Sequence, residues 1–205
     1  AVLDKARALS GAGHDAVVGD ITVTNVTSGL DAVFLLGDQV STSTSANWRA
    51  FGKRHASILD GTVSPPTAMK RLPVLPVAGD RDCVKEPTCG TMAKVFPGFG
   101  VEIGFGRVAT WHHFDLQIGE KDVWRIVVLD SNKKGLGSRW HEQMAWLKGV
   151  VANPGSGLIV LMHESPISRN RRSKNPGPDE LMDAIGEHAP LLSLRAVFSA
   201  GPVNN

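Results

Sequence analysis

With 205 residues, 42% of them hydrophobic and 20% charged, the chain has the size and balance of one globular domain around a single core. Its formal charge of +2 makes no electrostatic case for a nucleic-acid partner or an anionic membrane surface. No run approaches the roughly 18 apolar residues of a membrane-spanning helix, and the opening residues, Ala1 to Arg7, lack the build of a signal peptide.

In chain order, Ala1 to Leu9 reads as the end of an amphipathic helix that Gly11 and Gly13 stop. His14 to Val18 is a short apolar run, and Thr22 to Ser28, rich in Thr and Val, reads as a strand or extended loop. Asp31 to Leu36 is almost wholly apolar and stops at Gly37-Asp38, the pattern of a strand buried on both faces. The spacing of Trp48, Phe51, His55 and Ile58 predicts a helix over Asn47 to Leu59. Thr62 to Pro66 reads as a turn. Leu72 to Ala78 is a second buried run, short or near an edge because of Pro73 and Pro76, and it ends at Gly79-Asp80-Arg81-Asp82.

Cys83 to Gly106 is Gly- and Pro-rich and reads as loop with one helical turn. Val108 to Ile118 and Trp124 to Leu129 are strands, the second ending in Asp130-Ser131-Asn132. Arg139 to Val151 is a helix with Met144, Leu147 and Val151 on its buried face. Leu158 to Met162 is another buried run, stopping at His163. Ser168 to Pro178 reads as an exposed basic loop, Asp179 to His188 as a helix with a carboxylate suited to its N-terminal dipole, and Arg195 to Ser199 as a last strand. There is no internal repeat and no linker, so one domain spans residues 1–205.

Cys83 and Cys89 are the only cysteines; a local disulfide and two free thiols are equally consistent with their spacing. No further Cys or His lies nearby to make them a metal site.

Four apolar strands end abruptly in a chemically capable side chain: Asp38, the Asp80-Arg81-Asp82 run, Asp130 and His163. In α/β architectures the C-terminal strand ends converge on one edge, where ligands bind. Asp and His suit Zn, Fe or Mn, and metals held this way can activate water against a phosphate. The residues therefore suggest a metal-assisted hydrolase. Each has a plainer reading. Asp38 after a glycine caps turns, His163 at the end of a buried strand can be a satisfied core histidine, and the 80–82 run can be a salt-bridged loop. Asp130 reads as structural. His112 and His113 sit on an alternating strand, one inward and one outward, and Arg169, Arg171, Arg172 and Lys174 read as a solvated cluster. Asn25-Val26-Thr27 fits a glycosylation acceptor, a pattern common by chance.

The ordered set Gly37-Asp38-Gln39-Val40, Pro76 to Asp82, Leu129-Asp130-Ser131-Asn132, Met162-His163 to Pro166 and Val197 to Asn205 resembles the calcineurin-like metallophosphoesterases over about residues 30–205. The helix carrying Gln143, Trp146 and Leu147 fits the same order. The resemblance implies an α/β fold of four layers, two mixed sheets face to face with helices outside. It makes Asp38 the carboxylate that bridges two metals and His163 a ligand of the second metal. Asp80 stands where the family has an Asn ligand, and Asp82 at the acid that orients a catalytic histidine.

The departures are as specific as the matches. Arg81 replaces that histidine; it can bind phosphate bidentately but cannot deliver a proton near neutral pH. The closing Gly-His-x-His pattern is Gly201-Pro202-Val203-Asn204, in which Asn204 is a weak oxygen donor and Pro202 none. Losing a ligand or its support weakens a metal site by about 10–100-fold. The family's first motif would have to be Asp20-Ile21-Thr22 or lie before residue 1, so truncation at both ends is part of the expectation.

Two functions follow: a degenerate phosphoesterase acting as a binding or structural module within a larger protein or assembly, or an active phosphoester hydrolase with an altered or mononuclear site. The expected catalytic residues are Arg81 and Asp82, and the expected metal ligands Asp38, Asp80, His163 and Asn204. The expected cofactor is one or two divalent metals (Mn, Zn or Fe) or none. The expected partner is a phosphoester small molecule or a protein, with no nucleic acid and no membrane segment. Cell envelope, secretion and cytoplasm all stay open.

Overall fold

The computed structural model describes residues 14–18, 21–26, 33–59, 74–83, 89–96, 101–102, 108–118, 121–166 and 175–200. The fold is α/β. In chain order the elements are β1 (His14–Val18), β2 (Ile21–Val26), β3 (Val33–Leu36), α1 (Ser45–Leu59), β4 (Val74–Val77) and α2 (Gly90–Val95). There follow β5 (Val101–Glu102), β6 (Val108–Ala109), β7 (His112–Ile118), β8 (Asp122–Leu129), α3 (Lys133–Leu136), α4 (Arg139–Val151), β9 (Gly157–Met162), α5 (Gly177–His188) and β10 (Leu194–Ser199).

The largest sheet has the order β10-β9-β8-β7. Its β8, β9 and β10 run parallel, joined through α4 and α5, and β7 is antiparallel to β8. Strands β3 and β4 form a separate parallel pair, and β1–β2 and β5–β6 are antiparallel pairs.

The apolar runs of β8 and β9 are explained by burial on both faces. Val127 and Leu129 of β8 and Leu158, Val160 and Met162 of β9 pack with Trp140, Leu147 and Val151 of α4 and Leu181 and Ile185 of α5. The alternate residues Ile126, Val128, Ile159 and Leu161 pack with Val77, Leu36 and Phe114 instead. Each large side chain so buried contributes about 1.5–3 kcal/mol by leaving water. A third cluster joins Val40 and Ala78, just past β3 and β4, to Trp48 of α1, Met92 of α2 and Phe96 just after it.

Several expectations are corrected. Strand β3 is not fully buried: Phe34 is 37% exposed although it stacks on Phe114, and among the described residues β3 pairs with β4 alone. The Val108–Ile118 strand is broken at Thr110-Trp111, both buried, where Thr110 turns to donate to Asp130 Oδ2. Helix α5 begins at Gly177 rather than Asp179, with Pro178 in its first turn, where a missing N–H costs nothing. The short helix α3 was not foreseen; its sequence Lys-Lys-Gly-Leu carries no apolar period, and it forms because Asn132 Oδ1 caps Gly135 N at 2.9 Å. The expected helix at Ala1–Leu9, the turn at Thr62–Pro66 and the basic residues Arg169, Arg171, Arg172 and Lys174 lie outside the described residues.

The end of β8 is held by one buried network. Asp130 N donates to Gln143 Oε1 and Gln143 Nε2 donates back to Asp130 O, both at 2.9 Å, which pins α4 to the strand. Asp130 Oδ1 accepts from Asn132 N at 3.0 Å. Arg125 docks the other end of α4, donating to Val150 O and Asn153 O at 3.1 and 2.7 Å.

Burial pushes the Asp130 carboxyl up from 3.8 to about 6, against the opposing pull of Thr110 and the Asn132 amide. The folded protein thus holds a proton that the unfolded chain releases between those values. The stability this provides is complete below pH about 4 and is lost as pH rises through about 6. Asp130→Asn keeps the shape, accepts from Asn132 N and donates to Thr110. We expect it to raise stability at pH 8 by about 1–3 kcal/mol and to match the wild type near pH 4, read from urea unfolding at both pH values.

Candidate metal centre

Strands β3 and β4 run parallel with Leu36 opposite Val77, so the residues after each leave at the same edge. Gly37 (φ 93°) and Asp38 (φ 52°) are both left-handed, a conformation that glycine adopts freely and aspartate tolerates. Gly37 has a second reason to be glycine: a Cβ there would collide with the His163 ring. Gly79, after β4, is under the same constraint, since its Cβ would strike Asp38 N and Oδ1. Two bare backbones therefore let the strand ends and the end of β9 close on one point.

His163 follows β9 and is almost wholly buried. Its Nδ1 lies 2.7 Å from Leu36 O. A carbonyl only accepts, so Nδ1 carries the hydrogen and donates, and in the neutral ring Nε2 holds a lone pair. That Nε2 is 3.5 Å from Asp38 Oδ1 and 3.6 Å from Asp80 Oδ1, and it has no hydrogen-bond partner among the described residues. A buried lone pair facing two carboxylate oxygens is unfavourable, and either a hydrogen on Nε2 or a cation between the three groups relieves it.

A cation fits this arrangement. The donor atoms of Asp38, Asp80 and His163 lie within 4.8 Å of one another. Ligand atoms about 2.0–2.2 Å from a tetrahedral metal are about 3.4 Å apart, close to the observed separations. The Leu36 carbonyl acts as the outer partner that fixes a ligating imidazole's tautomer and orientation. Two carboxylates and one imidazole suit Mn, Zn or Fe and do not choose among them.

The electrostatics agree. Burial raises the Asp38 carboxyl above its usual range, and the nearby Asp80 adds to this; the Arg81 amide, donating to Asp38 Oδ1 at 3.1 Å, and His163 oppose it. The Arg81 side chain reaches the same carboxylate, Nε to Oδ2, at 3.5 Å and is 59% exposed.

Asp82 is fully buried but turned away from this cluster. Its Oδ1 accepts from Val40 N at 3.2 Å and its Oδ2 from Gly79 N at 3.0 Å, tying the loop after β3 to the loop after β4. Burial pushes its carboxyl up to about 6, against those two amides. Gln39 adds a second tie, donating through Nε2 to Leu35 O at 3.1 Å and Val77 O at 3.4 Å. Cys83 and Cys89 are bonded to each other, which anchors the residue after Asp82 to the start of α2.

Of the strand-end residues, the structure thus brings Asp38, Asp80 and His163 together, with Arg81 beside them. Asp130 is absent from the group, its carboxylate accepting instead from Thr110 and from Asn132 N. Asp20, Gly201, Pro202 and Asn204 lie outside the described residues. His112 is half-buried and His113 exposed, as the alternation of their strand requires. Gly37, Gly79 and Gln39 were not read as site residues; the only signal was glycine at both strand ends.

Asp82→Ala would leave the Val40 and Gly79 amides buried without an acceptor. We expect it to lower unfolding stability by about 2–4 kcal/mol, read from the denaturant midpoint.

No protein-family model and no curated protein matches the chain, so the family resemblance stands on the ordered residues alone.

Proposed function

We propose that the protein is a metallophosphoesterase-like domain that holds one divalent metal through Asp38, Asp80 and His163 and serves as a binding module with impaired phosphoester turnover. The observation that carries this is His163 Nε2, buried, oriented by the Nδ1 contact and aimed between two carboxylates. The fold reading has its own support. The three hydrophobic clusters follow in the order helices on sheet, sheet against the β3–β4 pair, and that pair's loops on helices, which is the succession a four-layer sandwich would have.

A bound metal would supply Lewis acidity and a grip on an oxyanion. The chain's own residues set the limits. Arg81 stands where the resemblance places a proton donor, and a guanidinium does not release a proton near neutral pH. Asp82 accepts two backbone N–H groups and faces away. Among the described residues of the cluster, none is placed to protonate a leaving group. The alternative, a working hydrolase with one metal, is favoured by the half exposure of Asp80, which leaves one side of the cluster open to solvent.

Elemental mass spectrometry after loading with Mn, Zn or Fe and dialysis tests the metal reading. We expect about one metal per chain in the wild type and loss of at least about 10–100-fold in affinity in His163→Ala. Hydrolysis of nitrophenyl phosphate mono- and diesters at background level supports the binding module. Turnover that His163→Ala abolishes supports the hydrolase, and no retained metal defeats both.

A further inference from the structure

One carboxylate at the site is contested. Asp38 Oδ1 faces His163 Nε2 at 3.5 Å and accepts from the Arg81 amide at 3.1 Å, while Asp38 Oδ2 faces Arg81 Nε at 3.5 Å. The Nε contact is longer than a good N–H···O hydrogen bond, and the Arg81 side chain is mostly in solvent, so it is a loose, easily exchanged ion pair. Among the described residues Asp38 is the only acidic partner of this guanidinium.

The charge of the cluster depends on its occupancy. The Asp38 and Asp80 carboxylates and the Arg81 guanidinium sum to one net negative charge, which disfavours an anion beside them. A divalent cation between Asp38, Asp80 and His163 makes that one net positive charge. It also neutralises Asp38 and pushes the like-charged guanidinium off it, towards solvent, with its planar donor fork unused. A guanidinium fork beside a metal matches a tetrahedral oxyanion, which it can bind through two parallel N–H···O bonds.

Building on the single-metal reading above, we propose that Arg81 exchanges partners with the metal: it is the counter-ion of Asp38 in the metal-free protein and the clamp for a phosphate oxyanion once the metal is bound. Metal and oxyanion then bind cooperatively, and linkage requires each to tighten the other by the same factor. The substrate or ligand class is accordingly one with a terminal, solvent-accessible phosphate group.

Free Mn2+ measured by electron paramagnetic resonance, with and without inorganic phosphate, tests this in the full chain. In the wild type, phosphate should tighten Mn2+ binding by at least about fivefold. Arg81→Ala should bind Mn2+ alone at least as tightly as wild type, because the competing cation is gone, yet lose most of the phosphate effect. Arg81→Lys, which keeps the charge without the fork, should fall between. Because Arg81 is exposed, both variants should fold. If Arg81→Ala keeps the wild-type phosphate effect, the inference is overturned and the single-metal reading stands. If the wild type binds no Mn2+, both fall.

Discussion

The hydrogen bond from His163 Nδ1 to the Leu36 carbonyl organises the site. It joins β9, in the four-stranded sheet, to β3, in the two-stranded one, at the edge where both strands end. It fixes the imidazole's orientation and turns Nε2 towards Asp38 and Asp80. It also dictates a nearby sequence choice, because the ring sits where a Cβ on residue 37 would be. Among the described residues the ring's other nitrogen has no hydrogen-bond partner, and the proposed metal would take that place.

The surrounding loops are tied together by contacts that need no metal. Asp82 clamps the backbones of Val40 and Gly79, Gln39 spans Leu35 and Val77, and the Cys83–Cys89 bond fastens the far side to α2. The cluster is thus preorganised at an electrostatic cost, with Asp38 and Asp82 both raised by burial. The Arg81 amide offsets part of that cost at Asp38, and the Arg81 side chain is the most exposed of the set. Rigid ligands with one mobile cation beside them are the physical basis of the partner exchange inferred for Arg81.

The parts of this legible in the sequence were those that follow from hydrophobic pattern. The strands β3, β4, β8 and β9 and the helix Arg139–Val151 announce themselves by apolar runs and period, and a strand end is where an Asp or His becomes chemically available. Asp38, Asp80 and His163 were identified on that logic, aided by the order of the family resemblance. What stayed hidden depends on contacts distant in sequence. Phe34 reads as core, but it lies in a pair that is two-stranded among the described residues and, stacked on Phe114, stays 37% exposed. Asp82 and Asp130 look as available as Asp38, yet their carboxylates are consumed by backbone amides and, for Asp130, by Thr110. Cysteine spacing left the disulfide undecided, because bonding needs the chain between Cys83 and Cys89 to turn back.

The most direct measurement is the tautomer of His163 by long-range 1H–15N correlation at pH 8, in metal-free protein and during Zn2+ titration. We expect hydrogen on Nδ1 throughout, and a shift of the bare Nε2 resonance that saturates at about one equivalent. A ring protonated at Nε2 in the metal-free protein, or one whose resonances ignore saturating Zn2+, would contradict the metal centre.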